Sequence, residues 1–334
     1  MISKLFPRPA NQIKSPQNMQ AKRHEHRDWS GAMVGAAIGL AGLFGARLGQ
    51  LWIGFDIFAQ FWMQFFFLAL ASFLGMASPR YKTLLAAVLL ALLVAGYSIW
   101  PYYVSGPNDT TLKPLGADEK ALRVASFNTY GNNKDLAAIE REVLRLDPDV
   151  MVLVEFDQTK IAVLSKLLQR FPYQEHCLQF EHCDFAMLSK TPLSDFKVKY
   201  EWAGPAFVSA KLGAEFGNVH IYGLHTNRFP HQRSQLKQIT ALIKYMEGES
   251  GPNILMGDFN ATPFSRITQT LAEGLGLERL TNLPTWSATY GFPQLAIDHI
   301  FVSKGIRALD HQKIGEYAGS DHFPIAITLG VPTK

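Results

Sequence analysis

Acids, amides and histidines recur in this chain at the ends of short apolar runs. Asn128 follows Leu122–Phe127, Glu155 closes Asp149–Glu155, and His225 follows Val219–Leu224. Asp258 and Asn260 sit in Gly257-Asp258-Phe259-Asn260, Asp298 stands beside His299 before another apolar run, and Asp321-His322 lies in Ser320-Asp321-His322-Phe323-Pro324. Apolar runs of this length read as buried strands, and strand ends gather on one rim of a sheet. A hard divalent cation takes oxygen ligands from one or two carboxylates while keeping water and substrate phosphate oxygens. A histidine beside a carboxylate moves protons near neutral pH. Hydrolysis of a phosphate ester needs both. Taken singly, each motif also has a plain structural reading: Gly-Asp-Phe-Asn suits an Asx-type turn and Ser-Asp-His-Phe-Pro a capped loop. Their order along the chain is the specific signal.

The elements that must position these residues alternate at first. Leu122–Phe127 is strand-like, Lys134–Leu146 has helical spacing, Asp149–Glu155 reads as a buried strand, and Ile161–Leu168 is helical again. Asp184–Leu188, Ala206–Leu212 and Val219–Leu224 then follow as short strands without helices between them, before a helix over Gln232–Glu247. Asn253–Gly257, Ile297–Ser303 and Pro324–Leu329 are the later strands. A mixture of β-α-β and β-meander sections implies packed sheets with helices outside. There is no internal repeat or low-complexity segment.

The series from Ser126-Phe127-Asn128 through Val154-Glu155, Leu188-Ser189-Lys190-Thr191-Pro192-Leu193, Leu224-His225-Thr226, Gly257-Asp258-Phe259-Asn260, Ile297-Asp298-His299 and Ser320-Asp321-His322-Phe323-Pro324 strongly resembles the endonuclease/exonuclease/phosphatase family, over about residues 121–330. The resemblance implies an α/β fold, a four-layer sandwich of two packed mixed sheets flanked by helices, with the site at one end. It implies a Mg²⁺-dependent phosphoesterase, with Mn²⁺ as a substitute, and Glu155 as principal metal ligand with Asn128 and Asp321 close by. Asp258 and Asn260 then position the attacking water and the phosphate, and Asp298 orients His322. His225 contacts the scissile phosphate. The general base is assigned provisionally to His322, with Asp258 as rival. The substrate stays open among nucleic acid, phospholipid or sphingomyelin head group and soluble phosphate ester, and no specific protein partner is implied. The non-enzymatic alternative is a tethered binding module that keeps the fold. Downstream of His225, Arg228, His231, Arg233 and Lys237 read equally as an anion-binding cluster, with Arg228 the substrate contact, or as the solvated face of a helix.

Composition divides the chain in two. Of 334 residues, 48% are apolar and 18% charged, which excludes a disordered chain. Residues 1–105 carry nine Lys and Arg against three Asp and Glu, while residues 106–334 carry 23 against 25. The basic surplus therefore belongs to the N-terminal part, and the remainder has none that by itself suggests nucleic-acid binding. Three apolar runs, from Trp29 to Ala46, Ile57 to Ala77 and Thr83 to Val104, predict transmembrane helices. Gly31, Gly35 and Gly39 offer the first a close-approach face. The expected organisation is a basic cytoplasmic tail over 1–28, three membrane helices over 29–104, a linker over 105–120 and the catalytic domain over 121–334. Lys4, Arg8, Lys14, Lys22, Arg23, Arg27, Arg80 and Lys82 place the tail and second turn in the cytoplasm by the positive-inside rule. The protein is then multi-pass in the inner membrane with a periplasmic catalytic domain. Five residues separate Cys177 from Cys183, an unusual spacing for structural zinc. Outside the cytoplasm the pair is more naturally a disulfide. His24, His26 and His311 read as surface residues.

Overall fold

The computed structural model describes residues 16–75, 82–103, 112–291 and 294–333, with backbone alone for 16–30, 82 and 98–103. Lys4, Arg8, Lys14 and Arg80, which carry part of the orientation argument, and residues 105–111 of the expected linker lie outside them. The chain gathers into two compact units, Met1–Gly42 with Met63–Ala95 and Leu43–Trp62 with Gly96–Lys334.

The helices of the first 103 residues are α1 (Pro16–Leu48), the short α2 (Asp56–Gln60), α3 (Trp62–Gly75) and α4 (Lys82–Tyr103). In the first unit Gly39 lies so close to α3 that a Cβ there would stand 2.8 Å from the Ala69 backbone nitrogen. Gly35 makes a similar approach to the Ser72 side chain, whereas a Cβ at Gly31 would meet nothing within 4 Å among the described residues. Among the described residues only Gly31–Leu48 is by itself long and apolar enough to cross a membrane, with mean hydropathy 1.5. This corrects the expectation of a three-helix membrane segment. The second run is bent by 62° between Ile53–Gln60 and Trp62–Gly75, because Asp56, Ala59 and Gln60 are buried and bonded to residues 262–266 instead of continuing one helix. The described apolar part of the third, Thr83–Tyr97, falls short of spanning length.

The second unit holds two mixed sheets. One joins β1 (Glu119–Asn128), β2 (Val150–Val154), β3 (Tyr173–His176), β4 (Phe185–Ser189), β11 (Arg307–Ala308), β12 (Lys313–Ile314) and β13 (Ile325–Pro332), in the order β11-β13-β1-β2-β4-β3 with β12 also on β13. The other runs β5-β6-β7-β8-β10-β9, from β5 (Leu193–Lys199), β6 (Ala206–Leu212), β7 (His220–His225), β8 (Asn253–Asp258), β9 (Leu277–Arg279) and β10 (Asp298–Ser303). β1 pairs parallel with β2, and β7 with β8.

Period-two alternation fills both faces of each sheet. Val124, Val152, Ile221, Met256 and Ile300 point into the core between the sheets. Ala125, Phe127, Met151 and Leu153 point outward under α5 (Leu136–Leu146) and α6 (Ala162–Leu167). Tyr222, Leu224, Leu255 and Phe301 do so under α7 (Gln232–Met246) and α8 (Arg266–Leu275). Each such fully buried aliphatic side chain contributes about 1.5–3 kcal/mol. The result is the four-layer arrangement that the resemblance implied. β1 begins at Glu119, inside the expected linker, and β3, β5, β9, β11, β12 and α8 were not foreseen.

Candidate active site

Strand register assembles the site. In the second sheet Asp258 is the residue opposite both His225 on β7 and Asp298 on β10, so the three stand abreast at the last rung. In the first sheet β1 ends in Asn128 and β2 passes into Glu155. Gly257 lets the end of β8 lie this close to β7: its φ is +147, and a Cβ there would lie 2.0 Å from the Leu224 carbonyl oxygen. The residues open on a cleft of about 640 Å³ lined by Glu155, His225, Arg228, Asp258, Asn260, Trp286, Asp321 and His322 among others.

Asp258 is the hub. Its Oδ2 accepts from Asn128 Nδ2 at 3.0 Å and lies 3.6 Å from His322 Nε2 and 3.7 Å from His225 Nε2. Its Oδ1 accepts the Asn260 N–H at 2.8 Å, an Asx-turn bond that the Gly-Asp-Phe-Asn motif provides locally. Asn260 Nδ2 donates to the Thr226 carbonyl at 3.1 Å and to Asp258 Oδ2 at 3.2 Å, so this side chain braces Asp258. Behind His322, Nδ1 donates to Asp298 Oδ2 at 2.8 Å, and Thr285 Oγ1 donates to the same oxygen at 2.5 Å.

Glu155 is held by its neighbours. Asn128 Nδ2 donates to Oε1 at 3.0 Å and the Gly131 N–H to Oε2 at 2.8 Å, with His225 Nε2 at 3.8 Å from Oε1. Glu155 occupies left-handed backbone, φ 52, which costs a non-glycine residue about 1–3 kcal/mol unless its surroundings impose it. Lys160 supplies much of that constraint. Fully buried, its Nζ donates to the carbonyls of Glu155 and Gly131 at 3.0 Å each.

Electrostatics separate the roles. Burial would lower the His322 value, but the facing carboxylates of Asp298 and Asp258 outweigh it and raise it to about 10. Burial pushes Asp258 up to about 6 against the pull of His322. Burial also favours a protonated Glu155, yet His225, Asn128 and the Gly131 N–H prevail and hold it below its ordinary value. At neutral pH the proton therefore sits on His322 and leaves Asp258 ionised.

For a divalent cation the donor set is suitable. Glu155, His225 and Asp258 present ligand atoms within 4.8 Å of one another, and Asp258, Asp298 and His322 form a second such group. Carboxylate oxygens suit Mg²⁺, and an added imidazole also suits Mn²⁺. Asn128 turns its Nδ2 toward Glu155 and Asp258 while its Oδ1 accepts from the Tyr130 N–H, so it orients carboxylates in this structure. Asp321 reaches the cleft, its Oδ2 accepting from Trp286 Nε1 at 3.1 Å.

The motif residues Asn128, Glu155, His225, Asp258, Asn260, Asp321 and His322 gather here, with Asp298 one layer back. Of the basic cluster only Arg228 lines the cleft, and Arg233 and Lys237 belong to a separate groove on α7, where Arg233 stands over the Trp52 ring at 5.2 Å. Sequence reasoning missed Lys160, Thr285 and Trp286, which carry no motif. It also missed Asp184, whose carboxyl burial pushes up and which feels both His225 and Glu155. Cys177 and Cys183 are disulfide-bonded, with Cα atoms 5.6 Å apart.

A sequence profile of the Endonuclease/Exonuclease/phosphatase family matches residues 125–322, and the chain belongs to that family. Its members are phosphoesterase hydrolases that depend on divalent metal ions. No curated protein matches the chain significantly. Among solved structures it is similar to a mannosyl-6-phosphatase of Bacteroides thetaiotaomicron, at 16% identity and TM-score 0.50 over 62% of this chain and 99% of that one. A humanized D. rerio TDP2 aligns at 19% identity and TM-score 0.50 over 63% and 98%. A Staphylococcus aureus beta toxin with bound magnesium ions aligns at 17% identity and TM-score 0.47 over 62% and 99%.

Proposed function

We propose that this chain is a membrane-anchored phosphodiesterase, dependent on Mg²⁺ or Mn²⁺, whose cleft faces outside the cytoplasm. The observation that carries the reaction type is the grouping around Asp258: two histidines within 3.7 Å, with Asp298 fixing one of them. Glu155 is the principal metal ligand, with Asp321 close to it. The cation, when bound, offsets the charge that builds on the phosphoryl oxygens. Asp258, ionised at neutral pH, accepts the proton of the attacking water, and this ordering favours it over His322 as general base. His322, protonated and fixed by Asp298, donates toward the phosphoryl or leaving oxygen. Arg228, exposed at the mouth, offers a planar donor pair to a phosphate. Asn128 and Asn260 hold the carboxylates in place. The intact set argues against a non-enzymatic binding module.

Membrane anchorage is supported by the apolar stretch Gly31–Leu48. Asp56, after α1, is hydrogen-bonded to Ser265 and Arg266 of the catalytic domain, so the two lie on the same side of any bilayer. The disulfide favours a periplasmic location. The test is a Mg²⁺/Mn²⁺ panel on the full chain with plasmid DNA, RNA, sphingomyelin, phosphatidylinositol phosphates and an artificial bis-ester. Turnover lost on chelation and on Glu155→Ala supports the reading, and turnover by no substrate, or turnover indifferent to both, overturns it.

A further inference from the structure

The segment between α1 and α3, of which the sequence assigned Ile57–Gln60 to the second apolar span, contains some of the most completely buried polar groups among the described residues. Asp56 is 0% and Gln60 1% exposed. Asp56 Oδ2 accepts from Ser265 Oγ at 2.5 Å and Oδ1 from the Arg266 N–H at 2.7 Å. Gln60 Oε1 accepts the Thr262 N–H at 2.8 Å, and Thr262 Oγ1 donates to the Ala59 carbonyl at 3.1 Å. A ring contact of Trp62 with Phe264 at 5.5 Å closes the same patch.

These partners all belong to the loop that leaves β8 at Asp258, carries Asn260 and enters α8. On its inner side the loop is held by Thr226 Oγ1 and Gln235 Nε2, both donating to the Phe259 carbonyl at 2.6 and 2.8 Å. On its other side the acceptors come from residues 56–60. Asn260 itself sits in left-handed backbone, φ 46, a conformation that Asn adopts at low cost, so the hydrogen bonds on either side are what fix the loop. The Asp56 carboxylate also lies at the N-terminus of α8, where it satisfies a free backbone N–H and complements the helix dipole.

We infer that Asp56, with Gln60, is a positioning residue for the active site: it clamps the loop bearing Asn260, and through Asn260 it sets the Asp258 carboxylate. The connection between the apolar helices is thus a working part of the catalytic wall. The role rests on the hydrolase reading above. Releasing the clamp lets Asp258 drift from its partners, and a displacement of about 1 Å at reacting groups costs on the order of 10² in rate. Substrate capture at Arg228 is untouched.

The experiment uses the full chain, with bis-ester turnover and amide hydrogen exchange measured on Asp56→Ala, Asp56→Asn and Gln60→Met, with Lys237→Ala as control and Asn260→Ala as reference. For Asp56→Ala the expected result is a kcat loss of about tenfold to a hundredfold with KM within about twofold. Faster exchange at the Thr262 and Arg266 amides should accompany it. Asp56→Asn, which keeps one acceptor oxygen, should recover part of kcat, and Lys237→Ala should match the parent. If Asp56→Ala does not fold, Gln60→Met carries the test through the Thr262 amide and kcat. An unchanged kcat per folded molecule, or unchanged exchange at both amides, overturns the inference. Asn260→Ala at the parent rate also overturns it, whereas a parent that turns over no bis-ester, or whose turnover survives both chelation and Glu155→Ala, sinks the hydrolase reading instead.

Discussion

Replacing Asp298 by Asn is the sharpest test of how the buried pair works. The change is nearly isosteric but removes the charge facing His322 Nδ1 at 2.8 Å and leaves the Thr285 hydroxyl on an altered acceptor. With Asp298 present, His322 is raised to about 10 and is protonated throughout the neutral range. Without that charge only Asp258 and Asp321 oppose burial, and the imidazole falls toward its ordinary value of 6.5. At pH 7.5 a group titrating there is only about one-tenth protonated, so the protonation state alone costs about tenfold. Lost orientation adds to this, because an Asn amide holds the ring less firmly than a carboxylate and, by presenting an N–H to Nδ1, opposes the doubly protonated ring that serves as the acid. The total should reach about 10² to 10⁴, the usual worth of a general acid or base. If both side chains serve one proton transfer, as proposed, His322→Ala in the Asp298→Asn background should cost little more. The assay is initial-rate hydrolysis of an artificial bis-ester by the full chain at saturating Mg²⁺. Losses that multiply independently would refute the coupled-pair reasoning, as would a wild-type rate for Asp298→Asn.

Other outcomes follow from the same geometry. Activity against pH should show a rising limb at or below about 6, where Asp258 ionises, and a falling limb near 10, where His322 loses its proton. The raised His322 value also contributes stability that is complete below pH 6.5 and lost as pH climbs through about 10, readable as a fall in Tm. Lys160→Met strands the carbonyls of Gly131 and Glu155 and should weaken Mg²⁺ binding about 10- to 100-fold by calorimetry, with unchanged affinity counting against its supporting role. Opening the Cys177–Cys183 bond by double serine substitution should cost about 2 kcal/mol in denaturant titration, the entropy of so short a loop. His311→Ala, at an exposed position away from the cleft, should leave bis-ester turnover at the parent rate.

Much of this architecture could be read from local pattern. The unbroken apolar runs in Val150–Val154 and Asn253–Asp258 mark strands whose two faces are both covered, and such strands require a sheet, a partner sheet and outer helices. The polar residues that interrupt the pattern at Asn128, Glu155, His225 and Asp258 end those strands, which is why the site's membership was visible in one dimension. The Cys177–Cys183 pair is local as well. What the sequence could not decide was everything set by contacts between distant residues. Asn128 bonds Asp258 across 130 positions, and only the register of two stacked sheets makes that distance 3.0 Å. Whether the Arg228 to Lys237 cluster bound substrate depended on where a helix begins, and α7 carries Arg233 and Lys237 away from the cleft while Arg228 stays at its mouth. Asp56 shows the limit most clearly. In sequence it is a lone acid between apolar runs, while in the fold it is a fully buried acceptor for Ser265, 209 residues away. A hydrogen-bonding partner of that kind leaves no periodic trace, because periodicity reports which face of an element is covered and not which residue covers it.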